Sequence, residues 1–368
     1  MLRLPISRME ELFSLIDAER TLYLPLEESG LVSFGRWAPG ASTRLDHLLP
    51  ARPVKDFFFP QTENLVLFHT QGKELRIEES RDPAAPFALF GVRACDAESL
   101  NLLDRVFLSD PVDTFYEERR RQGLIITTAC AAPEETCFCG AYGIDAAAPG
   151  GDVATWLTED ALYWQSRTEK GQTLTAKVKH LFDEGNDTDS EATAQAAPVA
   201  QTTHTAQAEQ AMQAVQAQQA AIRALTDRLP LHDLDLRGYG GEALMEKFDD
   251  PRWERLSEAC LGCGTCTFVC PTCHCYDIRD FDTGHGIQRF RCWDSCLYSD
   301  FTQMAGGNPR HSRLERFRQR YMHKLVYFPA NQDGLYACVG CGRCITKCPI
   351  SMNITKVVRT LGVPQNAE

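Results

Sequence analysis

The pattern C-x2-C-x2-C-x3-C-P occurs twice in this chain, and nothing else in the sequence restricts its folding so tightly. Cys260, Cys263, Cys266, Cys270 and Pro271 make the first run; Cys338, Cys341, Cys344, Cys348 and Pro349 make the second. Two-residue gaps wrap a tight loop around one inorganic cubane, so that three thiolates meet three of its irons. The glycines between the cysteines permit the close backbone approach such a loop needs. The x3 step starts a short helix that carries the fourth thiolate away, and the proline keeps the run from closing on itself. By this logic one 4Fe–4S cluster takes Cys260, Cys263, Cys266 and Cys348, and a second takes Cys338, Cys341, Cys344 and Cys270. Structural zinc also uses C-x2-C pairs, but four zinc ligands leave the third step and the proline without a purpose.

Residues 271–337 separate the runs. An insertion of that length predicts a mostly helical two-cluster ferredoxin domain, in which helices rather than a β-hairpin join the halves. Four more cysteines lie inside it: Cys273, Cys275, Cys292 and Cys296. Their spacing matches no standard cluster, so they are expected to pack beside the clusters or tune them, with a further cluster as the alternative. Arg310, Arg313, Arg316, Arg318, Arg320 and Lys324 follow, opposed by Glu315 alone. This run is expected to offset cluster charge or to form a docking face.

The first half is of another kind. Asn64–His69, Phe87–Val92 and Gly123–Thr128 are apolar runs that predict buried strands, and Leu100, Leu103 and Phe107 mark one face of a helix capped by Asp96. The pattern is α/β. Cys95 and Cys130 fall just past two predicted strand ends, where ligands gather in such folds. With Cys137 and Cys139 they make four thiols, enough for a third 4Fe–4S cluster in the N-terminal domain. Structural zinc and unmetallated thiols are the alternatives. Between the halves, residues 191–220 contain 11 alanines and 8 glutamines and no aromatic residue. The expected division is an α/β domain over 1–182, a linker and spacer helix over 183–230, and the two-cluster domain over 231–368. The linker is read as disordered to about Thr203, then as a helix with a stripe of Met212, Val215, Ile222, Leu225 and Leu229.

Composition narrows the function classes. A net charge of −12, from 38 basic against 50 acidic residues, provides no global positive field for nucleic acid or anionic membrane. No apolar run reaches the roughly 18 residues of a membrane span, and the N-terminus lacks a secretory pattern. Sixteen cysteines are then expected to serve metal or redox chemistry in the cytoplasm rather than disulfides. The sequence shows no dinucleotide fingerprint, no P-loop, no HExxH and no nickel–iron ligand pattern. Flavin, nicotinamide and substrate are therefore expected on partners.

Several segments together resemble one family. They are Gly91-Val-Arg-Ala-Cys-Asp96, Leu103-Asp-Arg-Val-Phe-Leu108, Tyr116-Glu-Glu-Arg-Arg120, Thr136-Cys-Phe-Cys139, the two cysteine runs, Cys270-Pro-Thr-Cys-His-Cys275, Trp293-Asp-Ser-Cys296 and His323-Lys324. The chain is similar to the iron–sulfur beta subunit of cytosolic sulfhydrogenases, to the A subunit of anaerobic sulfite reductase, and to flavin oxidoreductases linked to heterodisulfide reductase. The resemblance implies a relay between a subunit that carries FAD and binds NAD(P)H and a terminal redox subunit, with no catalytic residue on this chain. The chain departs from the family in Gly140-Ala-Tyr-Gly-Ile-Asp145, in Cys292 and in the Ala/Gln insertion. The competing functions are a self-contained reductase with a substrate site near Cys95 and Cys130, and a zinc-bound interaction module.

Overall fold

The structure, a computed structural model, describes residues 1–47, 50–81, 83–182 and 199–362. Among the described residues there are eleven strands: β1 (Leu2–Pro5), β2 (Thr21–Glu28), β3 (Leu31–Arg36), β4 (Thr62–Gln71), β5 (Glu74–Glu79), β6 (Phe87–Val92), β7 (Gly123–Thr128), β8 (Val153–Leu157), β9 (Ala161–Ser166), β10 (Tyr276–Asp282) and β11 (Gly286–Trp293). Seven of them form a sheet in the order β1-β9-β8-β7-β6-β2-β3. Its centre, β2, β6, β7 and β8, is parallel, and antiparallel strands close the edges.

Side chains alternate across a strand, so a sheet covered on both faces needs apolar residues at every position. Every residue of β6 and β7 is buried, and all are apolar except Thr127 and Thr128 at the end of β7. Ala88, Phe90, Leu124 and Ile126 face one core with Leu12, Phe13 and Ile16 of the helix Met9–Glu19 and Leu174 and Val178 of the helix Glu169–Val178. Phe87, Leu89 and Ile125 face the opposite core with Leu100, Leu103 and Phe107 of the helix Ala94–Phe107. The α/β expectation for the first half fits this architecture. The helix begins earlier than the sequence implied: Arg93 is the N-cap and Asp96 lies inside the first turn.

β4 departs from its expected place. It is half-buried rather than buried and pairs with β5 and β11 in a second, four-stranded antiparallel sheet of order β10-β11-β4-β5. That sheet also corrects the picture of the insertion. Residues 271–337 carry a β-hairpin, β10–β11, against the expectation that helices alone join the two runs. Arg291 on β11 pins the hairpin to the first half through ion pairs with Glu63 (2.5 Å) and Asp113. The short turn Thr283–Gly286 between two alternating segments was the available signal.

The other regular elements of the second half are short helices joined by turns and loops. Ser312 caps the helix Arg313–Met322 in a reciprocal capping box with Glu315. One π-turn, His323–Tyr327, then leads into the helix Phe328–Asn331. Phe317, Tyr321 and Leu325 pack with Trp253, Leu256, Ile354, Val357, Val358 and Leu361. The last four, on the helix Ile354–Gly362, repeat at i, i+3, i+4 and i+7, as an amphipathic helix requires.

Residues 183–198 of the Ala/Gln segment lie outside the described residues. From Val199 to Thr226 the chain is one helix, which includes residues read as disordered from the sequence. It docks on the first domain: Ala211, Val215 and Ile222 are buried against Ala129, Ala146, Trp156 and Tyr163. Met212 and Leu225, which lie on the apolar face read from the sequence, are exposed. Gln218 reaches the Leu157 carbonyl and Arg223 pairs with Asp145 at 2.7 Å, so polar residues complete the contact.

Candidate metal centres

The first four-thiol cavity lies in the second half. Cys260, Cys263, Cys266 and Cys348 line a space of about 400 Å³ together with Phe317, Tyr321 and Met352. The structure brings together the four residues that spacing assigned to one cluster. Cys263 is exposed, whereas Cys260, Cys266 and Cys348 are half-buried. The Arg320 guanidinium enters the same wall and donates to the Cys266 carbonyl at 2.8 Å.

The second predicted set adjoins the first. Cys270 leaves the first run on the short helix Thr265–Phe268 and stands within electrostatic range of Cys338, Cys341 and Cys344. Burial raises all three of those thiols, Cys341 to about 12. Lys324 Nζ donates to Cys270 Sγ at 3.4 Å, to Thr272 Oγ1 at 2.9 Å and to the Ala337 carbonyl at 2.7 Å. Lys324 and Arg320 are buried cations four residues apart, so one helical face delivers both to the thiols. The expected charge-offsetting role of the Arg-rich run fits these two residues. Arg318 serves otherwise, stacking on Phe248 at 3.7 Å.

The third cavity is built from the first half. Cys95, Cys130, Cys137 and Cys139 line a second space of about 400 Å³, with Arg93, Pro133, Thr226, Gly340 and Cys341. The parallel strands β6 and β7 end side by side and deliver Cys95 and Cys130. Arg93 ties those ends together by donating to the carbonyls of Ala129 (3.2 Å), His47 (3.2 Å) and Leu45. The loop Pro133–Gly143 brings Cys137 and Cys139. Burial pushes both thiols up to about 12 and Cys95 well above its ordinary range. Thiols so placed ionise when a metal takes their charge and releases their protons.

This cavity abuts the second run. The Phe138 N–H donates to the Gly340 carbonyl at 2.9 Å. Gly340, at φ +60°, leaves room for a side-chain carbon only 2.4 Å from the Phe138 carbonyl oxygen, so only glycine fits. Arg343, between Cys341 and Cys344, makes a bidentate pair with Asp96 at 2.6 Å on both arms, and both residues are almost fully buried. Neither the pair nor the buried Lys55 could be singled out from sequence, because their partners lie hundreds of residues away.

The donor sets fit cubanes better than single ions. Among the described residues, no three His, Cys, Asp or Glu groups stand close enough to share one metal ion. Four thiols spread around each cavity match a larger centre. A separate open cleft of about 880 Å³, lined by Glu98, Asn101, Arg120, Tyr142 and Asp145, lies beside the third cavity and shares Ala94 with it.

Comparison with known proteins agrees with this geometry. A family profile for 4Fe–4S dicluster domains matches residues 259–352, which supports two 4Fe–4S clusters in the second half. The chain is 30% identical over 351 residues to sulfhydrogenase 2 subunit beta of Pyrococcus furiosus, covering 95% of this chain and 94% of that protein. No solved structure matches it. Among the described residues no helix is long and apolar enough to cross a membrane.

Proposed function

This chain belongs to the sulfhydrogenase beta-subunit family, and on that premise we propose that it is the relay subunit of a cytoplasmic, multi-subunit oxidoreductase. It holds three 4Fe–4S clusters in the order N-terminal site, second-run site, first-run site. The N-terminal cluster is held by Cys95, Cys130, Cys137 and Cys139, the middle one by Cys338, Cys341, Cys344 and Cys270, and the outer one by Cys260, Cys263, Cys266 and Cys348. Such clusters carry single electrons when bound.

The observation that carries this reading is the abutment of the three thiol sets. Cys341 belongs to the second run and also lines the N-terminal cavity. Cys270 belongs to the first run and faces the second. A chain of adjoining sites is what electron transfer across a subunit needs. The chain's own residues hold the sites in place: Asp96 and Arg343 lock the N-terminal site to the middle one, and Lys324 and Arg320 offset thiolate charge where water is excluded. The exposed Cys263 marks the outer site as one terminus of the relay. FAD and NAD(P)H belong to a partner at one end, and a hydrogenase, sulfite reductase or heterodisulfide reductase type of subunit lies at the other.

The test is anaerobic purification of the tagged chain with its partners, followed by mass spectrometry and electron transfer from NAD(P)H. The relay reading expects a flavin-containing partner and cluster reduction that depends on it. The open cleft beside the N-terminal cavity favours one competing reading, a self-contained reductase. Turnover of a small molecule by the isolated chain with a reduced dye would establish that reading instead.

A further inference from the structure

The insertion cysteines fall into two groups. Cys292 stands on β11 beside Arg279 and Asp277, apart from the other three. Cys273, Cys275 and Cys296 converge next to the middle site. Cys273 Sγ lies against Cys270 and accepts from Arg320 Nη1 at 3.4 Å. Cys275 and Cys296 are partners of each other: their thiols are in hydrogen-bond contact, and the Cys296 backbone N–H also points at the Cys275 sulfur.

The fold fixes this pair. Tyr276 pairs with Trp293 at the end of the β10–β11 ladder, and the Asp294 N–H donates to the Cys275 carbonyl at 3.0 Å. The fully buried Ser295 hydroxyl accepts from Thr267 Oγ1 at 2.9 Å and from the Leu297 N–H at 3.2 Å, which sets the turn that carries Cys296. Three buried cations close on the region. Lys55 donates to the Cys273 carbonyl at 2.9 Å and sits 3.5 Å over the Trp293 ring, while Arg320 and Lys324 approach from the opposite helix. Among the described residues none of the three pairs with a carboxylate.

Packing alone does not account for this arrangement. Buried thiols acting as small hydrophobes need no hydrogen bond to each other and no backbone N–H aimed at one of them. A further cubane needs sulfurs held apart around it, whereas these two touch. Their electrostatics are asymmetric: the Cys296 hydrogen bond, aided by Lys324 and Arg320, draws Cys275 down to about 7, and the same bond pushes Cys296 up. A thiolate beside a protonated thiol is the ground state of a dithiol ready to close.

We propose that Cys275 and Cys296 form a redox-active dithiol that becomes a disulfide when the neighbouring iron–sulfur centres are oxidised. One S–S bond forms, and the one S–H proton left on the pair, that of Cys296, is released. Two electrons leave the sulfurs, one to each of two oxidised clusters. The reverse step returns them from two reduced clusters. The pair is thus a two-electron store beside one-electron carriers. The proposal rests on the relay reading, because the clusters are its electron acceptors.

The test uses the anaerobically purified full chain. One portion is reduced with dithionite and another oxidised with thionine; both are quenched in acid with N-ethylmaleimide and mapped by mass spectrometry, with iron counted in parallel. The expected result is a Cys275–Cys296 link in the oxidised portion, two alkylated thiols in the reduced portion, and no link but unchanged iron in Cys296→Ser. Two alkylated thiols in the oxidised portion at full iron would overturn the proposal alone. A loss of about four irons in Cys296→Ser would overturn it too, by making Cys296 a cluster ligand. A wild-type chain without iron would defeat the relay reading and the proposal together.

Discussion

The two cavities each gather a set of four thiols and are built in opposite ways. The C-terminal cavity takes three of its cysteines from seven consecutive residues, Cys260–Cys266, so its shape is local. One thiol, Cys263, is exposed, and a cation, Arg320, enters the wall. The N-terminal cavity takes its cysteines from two strand ends and a loop, and is sealed by parts distant in the chain: Thr226 of the docked helix, and Gly340 and Cys341 of the second run. The placing of its thiols depends on the sheet being complete and on the two halves being joined. The C-terminal site needs its loop and one distant thiol, Cys348, whereas the N-terminal site draws on the sheet and both halves, so that cluster binding there would be coupled to folding of the whole chain.

The largest expected effect separates the two sites by iron content. Cys137→Ser should remove about four irons per chain while the dicluster signals in electron paramagnetic resonance persist. Loss of all iron would mean that the sites are not independent. Next comes the joint between the halves. Asp96→Ala leaves the Arg343 guanidinium buried without its anion, which costs about 3–5 kcal/mol by denaturant unfolding. The N-terminal cluster should be lost before the outer one in that variant; the reverse order would break the contrast between tertiary and local sites.

Lys324→Met tests the electrostatic side. Removing a buried cation 3.4 Å from Cys270 Sγ disfavours the more negative, reduced cluster. The middle-site potential should fall by about 40–130 mV, equivalent to about 1–3 kcal/mol at intermediate dielectric, as read by redox titration. The N-terminal cluster should shift far less. The smallest effect belongs to the rim. Arg223 and Asp145 are both partly exposed, so Arg223→Ala should cost about 0.2–1 kcal/mol and leave iron content unchanged.

The same contrast explains how much the sequence revealed. The C-terminal thiol set is legible because the spacing of its cysteines fits a loop around a cubane. Cys95 and Cys130 are legible one step further on, through the buried runs of β6 and β7 and the rule that sites gather past parallel strand ends. What stayed hidden depends on partners far away in the chain. Asp96 reads as a helix cap until Arg343 is placed beside it. β4 reads as a buried strand of the parallel sheet until the β10–β11 hairpin claims it. On the Ala/Gln helix Val215 and Ile222 of the stripe are buried, but Ala211 and Gln218 complete the contact in place of Met212 and Leu225, which no apolar stripe could show.

The most direct test of three adjoining clusters is to count iron and acid-labile sulfide in the wild-type chain purified without oxygen. The account predicts about twelve of each per chain. About eight of each, or zinc in place of a third set, would contradict it.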